Sequence, residues 1–253
     1  MLETYLRTRQ QERAILLMTH IVIGYPSFDA SLQLVETMVE AGVDLIELQI
    51  PFSEPIADGP VILGANQNAL QGGSTVERCL AFGREAAQRF AIPFLFMTYY
   101  NVLFKYGVRR FVDAMEQGGL AGAIVPDLPP EEGGEYLEAM KCHDLAPIFI
   151  YSPNSSDARL SLIAQSARGF VYCVARKGVT GSHTAFSDEL SFYLERCRRA
   201  TSLPLAVGFG VRSRDDIDFL RGKADIAVVG SQTIRLVDEA GLQAVGPFLK
   251  NLR

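Results

Sequence analysis

The chain has 253 residues, 48% of them hydrophobic and 21% charged, with a formal net charge of −5. Those values fit one globular domain spanning residues 1–253 and exclude a disordered or fibrous chain. The acidic balance gives no general attraction to nucleic acid or to an anionic membrane, and no apolar run reaches the length of a membrane span.

The first ten residues mix charges and carry no apolar signal core, so a cytoplasmic protein is expected. Cys79, Cys142, Cys173 and Cys197 are scattered with no CxxC pair, which points to reduced thiols and to no metal site.

Eight apolar, β-rich runs follow one another along the chain, at 15–24, 45–50, 93–99, 122–127, 146–152, 169–175, 204–209 and 225–231. They are nearly continuous rather than alternating, as parallel strands buried on both faces require. Helical spacing fills the gaps. After Ser27, an N-cap, Leu32, Val35 and Val39 make an apolar stripe that Gly42 closes. Ser74 with Glu77 reads as a capping box ahead of Leu80. Val108, Phe111, Val112 and Met115 form the next stripe, ended by Gly118 and Gly119. Glu131 and Glu132, just past Pro129-Pro130, suit a helix start by charge and by proline position. Ser213 with Asp216 caps a helix bearing Ile217 and Leu220. Strand and helix alternating eight times predict an α/β fold, a single (β/α)8 TIM barrel with an extra N-terminal helix. A doubly wound open sheet is the alternative, but the pattern shows no switch point.

Residues 45–60 break the apolar pattern in an informative way. Glu47 lies inside a strand run, and Asp58 follows in a loop stiffened by Pro51, Pro55 and Pro60. Burial penalises a charged carboxylate, so Glu47 should be pushed toward neutrality while the more hydrated Asp58 stays ionised. Two carboxylates in unlike settings can divide acid and base roles. Taken alone, a strand Glu can equally be an edge residue and Asp-Gly-Pro an ordinary turn.

The barrel weights the choice, because its active residues lie at the C-terminal strand ends. Glu47 and Asp58 belong there, as do Asp127 at the end of strand 4 and Tyr172 in strand 6. Glycine segments at 176–181, 208–210 and 230–231 end the last three strands, where barrels hold a phosphate on backbone N–H groups and a helix N-terminus. Gly230-Ser231 reads as that helix start, with the Ser231 hydroxyl as one more donor.

The segment from Glu47 to Pro60, Tyr99-Tyr-Asn101, Pro126-Asp127-Leu-Pro-Pro, Gly178-Val-Thr-Gly181, Gly208-Phe-Gly210 and Gly230-Ser231 together resemble the tryptophan synthase α subunit family. The resemblance runs from Gly24 to the last helix in the family's order and spacing. It implies retro-aldol cleavage of indole-3-glycerol phosphate into indole and glyceraldehyde 3-phosphate. Glu47 would move the protons, and Asp58 would hold the indole N–H. Gly181, Gly210, Gly230 and Ser231 would bind phosphate, while Tyr99, Tyr172 and Phe209 would contribute to the substrate pocket. Asp127 would orient loop groups, and Thr180 would meet Asp58 when its loop closes. The resemblance further implies no cofactor in this chain, with pyridoxal phosphate in a partner β subunit and an α2β2 assembly.

The chain departs from that pattern at several positions. Gln49 stands where Gly is commoner, Glu54 where Asp is, His20 where an aromatic residue is, and Val22 where Thr is. Leu63 replaces a usual Gln. His20 reads more readily as a satisfied core residue than as a substrate contact. Three further readings stand beside the first: a free-standing indole-producing lyase, a non-catalytic activator of a β subunit, and another phosphate-binding barrel such as a sugar-phosphate epimerase. The last lacks the metal-binding histidines it would need.

Overall fold

Alternate residues of each apolar run face opposite ways, and that parity builds two cores from one set of strands. The computed structural model describes residues 2–174, 188–208 and 210–253. Its elements begin with α1 (Leu2–Glu12), β1 (Leu16–Val22), α2 (Phe28–Glu40), β2 (Leu45–Gln49), α3 (Pro60–Gln71), α4 (Val76–Arg89) and β3 (Phe94–Met97). Next come α5 (Tyr100–Tyr106), α6 (Val108–Gln117), β4 (Gly122–Ile124), α7 (Gly134–Cys142), β5 (Ala146–Tyr151), α8 (Asp157–Ser166) and β6 (Val171–Val174). The last are α9 (Asp188–Ala200), β7 (Leu205–Gly208), α10 (Arg214–Leu220), β8 (Ile226–Val229), α11 (Ser231–Ala240) and α12 (Val245–Asn251). Neighbouring strands pair in parallel and β8 returns to β1, so the sheet closes as the expected (β/α)8 barrel.

Leu16, Met18, Leu45, Leu95, Phe170 and Val228 fill the barrel interior. Residues of the opposite parity, Leu17, Ile46, Leu48, Phe94, Phe96 and Val229, pack outward against the helices. Each such side chain contributes about 2 kcal/mol on burial, which offsets the cost of the few polar groups lodged among them. All eight expected runs are strands, but shorter than their apolar lengths. The run at 122–127 pairs only over Gly122–Ile124, because the Val125 carbonyl turns to accept from Leu128 N at 3.3 Å.

The helices keep most of their expected signals. The Ser27 hydroxyl accepts from Ala30 N, and Gly42 takes the left-handed conformation (φ +84°) that ends α2. The face of α2 is rotated slightly: Leu34, Val35 and Met38 are fully buried, with Leu32 and Val39 at the margin. Val108, Phe111, Val112 and Met115 are the buried residues of α6, as the spacing predicts. Ser213 and Asp216 form the expected capping box on α10. Two starts differ. The cap of α4 is Thr75, not Ser74, with its hydroxyl accepting from Arg78 N. Helix α7 begins at Gly134, not at Glu131. Glu132 N and Gly133 N close turns on Pro129 and Pro130, and Glu131 pairs with Arg159.

The N-terminal helix closes the floor of the barrel, with Leu2 and Leu6 packed against Ala146 and Phe170. Beside it the carboxylate of Asp44, wholly buried, accepts from Leu17 N at 2.9 Å and Arg13 at 2.8 Å. Arg9 at 3.2 Å and Arg253 at 3.3 Å complete this clasp.

Candidate active site

Parity carried to the C-terminal end of the strands fixes which side chains look into the mouth of the barrel. Glu47 stands two residues after the inward Leu45, and Gln49 two after Glu47. His20 follows Met18, Tyr172 follows Phe170 and Gly230 follows Val228 at the same interval. The register sets His20 beside Glu47 and Gln49 beside Met97.

Glu47 is 5% exposed, and its Oε2 has no hydrogen-bond partner among the described residues. Burial, reinforced by the nearby Asp58, pushes its carboxyl up to about 8. Protonated at neutral pH, the group is poised as a general acid.

Asp58 sits in the β2–α3 loop, where its N–H bonds the Pro55 carbonyl at 3.0 Å and Pro60 opens α3. Its Oδ2 accepts from Gln49 Nε2 at 2.7 Å and from the Tyr99 hydroxyl at 3.1 Å. Tyr99 also accepts from Ala57 N and stacks on Phe52 with ring centroids 5.1 Å apart, which folds the loop back over the barrel mouth. Asp58 is therefore half-buried rather than freely hydrated as its loop position predicts. Burial pushes its carboxyl upward, while the Gln49 hydrogen bond, His20 and the Tyr99 hydrogen bond oppose that shift. The two carboxylates do differ, in hydration as expected and also in hydrogen bonding, since Asp58 alone is held by two donors.

Two polar residues belong to this site without having been expected in it. Gln49 joins Asp58 to His20, whose Nε2 lies 2.6 Å from Gln49 Oε1, and it also faces Asn66 Oδ1 at 3.4 Å. Both are nearly inaccessible to water, at 4% for His20 and 0% for Gln49. His20 is a core residue, as expected, but tied to the site.

Tyr172 lies on the inner wall facing both carboxylates, and burial first, then Glu47 and Asp58, drive its hydroxyl well above the ordinary range. Its ring needs Gly208: a Cβ there would stand 2.3 Å from the Tyr172 Oη. Asp127 does not reach the carboxylates; its Oδ1 accepts from Tyr100 N at 2.8 Å and caps α5. Gly210 has φ +124°, a conformation only glycine adopts readily.

Gly230 precedes α11, whose first turn has no side-chain cap, and Ser231 is its first residue. The Thr233 hydroxyl fastens this helix start to the carbonyls of Gly230 and His20. Thr180, Gly181 and Phe209 lie outside the described residues. A separate cleft of about 210 Å³ opens at the opposite, N-terminal end of the barrel, lined by Arg13, Ile15, Leu17, Ile217, Arg221 and Arg253. Its guanidinium groups are held by Asp44 and Asp218, so it belongs to the stabilising end.

A family model described as tryptophan synthase alpha chain matches residues 6–246. The tryptophan synthase alpha chain of Desulforapulum autotrophicum is 64% identical over 252 residues, covering 100% of both chains. That of Syntrophotalea carbinolica is 61% identical over 253 residues, again with 100% of both covered. Among solved structures, tryptophan synthase from M. tuberculosis in an aminoacrylate-bound form is similar with TM-score 0.90 and 32% identity, over 99% of this chain and 97% of that one. A tryptophan synthase complex from Pyrococcus furiosus is similar with TM-score 0.86 and 30% identity, over 94% of this chain and 97% of that one.

Proposed function

The chain belongs to the tryptophan synthase alpha chain family, and from that premise we propose how its residues cleave indole-3-glycerol phosphate to indole and glyceraldehyde 3-phosphate in tryptophan biosynthesis. The observation that carries the assignment is the contrast between the carboxylates. One is a buried acid with an unpartnered oxygen; the other is gripped by two donors.

Glu47 delivers its proton to carbon 3 of the indole, and the ring becomes cationic. Asp58 accepts the indole N–H and stabilises that charge where it develops. Glu47, now a carboxylate in an apolar wall, removes the proton from the glycerol hydroxyl next to the ring. The C–C bond breaks, its electron pair returns to the ring, and the hydroxyl carbon becomes the aldehyde. Glu47 ends protonated, so no net proton is consumed.

Tyr99 holds Asp58 from the β3 side, and Tyr172 with Phe209 walls the ring. Asp127 acts indirectly, by fixing α5. Thr180 meets Asp58 when its loop closes and excludes water. The phosphate takes the place of the missing cap on α11, on the N–H groups at Gly230 and Ser231, with Gly210 and Gly181 alongside.

No cofactor is needed for this proton chemistry; pyridoxal phosphate belongs to the β subunit of the family. We read that β subunit as the partner and α2β2 as the assembly. Ile56 at 83% and Phe104 at 71% exposure, in loop and helix at the active end, support a partner there. Residues 1–253 work as one domain, since the strand ring draws on most of the chain's length. A reducing, cytoplasmic setting suits the four unpaired cysteines. Among the described residues no helix is long and apolar enough to cross a membrane.

The test is indole release from indole-3-glycerol phosphate by the purified chain, with and without a β subunit. Glu47→Gln should lower release by about a thousandfold and leave affinity for a phosphate-bearing substrate analogue within about twofold. Retention of most turnover would show that Glu47 does not move the protons. A rate that climbs with the β subunit supports the partner; full speed alone supports a free-standing lyase.

A further inference from the structure

The hydrogen bonds around Asp58 can be oriented from a single fixed donor. The Phe52 backbone N–H can only donate, so the Asn66 atom it meets at 2.9 Å is the oxygen. The Asn66 nitrogen accordingly donates to the Ile62 carbonyl at 2.8 Å. The Gln49 atom facing Asn66 Oδ1 must then be the amide nitrogen, and its second hydrogen points to Asp58 Oδ2 at 2.7 Å. The Gln49 oxygen is left facing His20, so His20 Nε2 carries the hydrogen of that 2.6 Å contact. His20 Nδ1 is a bare nitrogen, buried without a partner among the described residues. Burial keeps the imidazole neutral by lowering its pKa. Donation therefore runs one way, from His20 to Gln49 to Asp58.

We propose that His20 and Gln49 form a positioning unit that holds Asp58 in its indole-binding orientation, with Oδ2 committed to Gln49 and Tyr99 and Oδ1 left for the substrate N–H. Among the described residues Oδ1 takes no hydrogen bond, whereas Oδ2 takes both donors. Gln49 holds the carboxylate, and His20 holds Gln49. Without the imidazole N–H the Gln49 oxygen would be a buried acceptor lacking a donor, which favours any movement that pulls the amide away from Asp58. Among the described residues, the titratable groups facing Asp58 are His20 from β1, Glu47 from β2, Tyr99 at the end of β3 and Tyr172 from β6. Of these, only Tyr99 donates to Asp58 directly, so loss of the Gln49 donor leaves the ionised form with one hydrogen bond in place of two. The proposal rests on the reading of Asp58 as the indole-binding carboxylate.

Two substitutions of similar size separate positioning from packing. His20→Gln puts an N–H where Nε2 stands; His20→Met fills the space without one. His20→Met should lower kcat for indole release about ten- to a hundredfold with KM within about twofold, and should raise the acid limb of kcat/KM by roughly half a pH unit. His20→Gln should recover kcat to within about threefold of the parent and return the acid limb to its place. Gln49→Met should match His20→Met, and the double variant should lose no more than either alone. Gln49→Met carries the comparison should His20→Met fail to fold. Equal kcat and equal acid limbs for His20→Met and His20→Gln would overturn the proposal and leave His20 a packing residue. Asp58→Asn separates the two levels: if it keeps most turnover the reading of Asp58 itself fails, and if it is inactive while the His20 pair is indistinguishable, only the positioning unit fails.

Discussion

Glu47 is only 5% exposed on the inner face of β2, so folding must strip water from its carboxyl. In the unfolded chain the group gives up its proton near its ordinary value of 4.5; in the folded chain it keeps it to about 8. Between those values the folded state binds more protons, so this group's contribution to stability falls as pH rises from about 4.5 through 8. Glu47→Gln does not titrate. The variant should melt with the parent at pH 5 and a few degrees above it at pH 8.5, measured by thermal unfolding. A gap that is the same at both pH values would mean the carboxyl is not the buried acid described. The pair Glu47 and Asp58 was legible in the sequence because a carboxylate inside an apolar run is a visible break. The link between His20 and Gln49 was not: the two lie in different apolar runs, and their 2.6 Å contact joins positions 29 apart. Two signals pointed toward them: both depart from the family pattern, and both share the inward strand face with Met18 and Leu45.

Among the elements, α2, α4, α8 and α10 start on a Ser or Thr side-chain cap, whereas α11, like α3, α6, α7 and α12, has none. An uncapped start at the active end leaves N–H groups for an anion. Gly230→Asp would supply a carboxylate to those same groups and repel a phosphate. Its barrel should stay folded by circular dichroism, while the KM for indole-3-glycerol phosphate rises by about a hundredfold or more. An unchanged KM would remove α11 from the phosphate site. The strands were legible because burial on both faces leaves a continuous apolar stretch. Their ends were not, since residues such as Val125 stay buried after the ladder stops. Helix starts failed by small offsets where neighbouring residues offer equivalent chemistry. Ser74 and Thr75 both carry hydroxyls, and only the backbone approach of Arg78 N selects the second. Glu131 has the right charge for a helix start, but Arg159 on α8 claims it.

For the molecule as a whole, the barrel separates its tasks by end: the proposed proton-transfer site lies at the C-terminal mouth, and the N-terminal floor is tied together around Asp44. Removing that buried carboxylate leaves three guanidinium groups crowded together and the Leu17 N–H unpaired. Asp44→Ala should therefore cost about 3 kcal/mol in urea unfolding while kcat for indole release, measured where the variant is still folded, stays within about twofold of the parent. A tenfold loss of kcat in the folded variant would mean the two ends are coupled. The clasp also has a direction in time. Arg253 meets Asp44 across 209 residues of sequence, and contacts of such separation close only after the intervening barrel has formed. An interaction absent from the folding transition state leaves the folding rate alone and acts on the rate of opening. Arg253→Ala should thus speed unfolding by about fivefold for each kcal/mol it removes, with the refolding arm of the chevron unmoved. In kinetic terms the arginine is a latch, setting how long a closed barrel stays closed rather than how fast it closes.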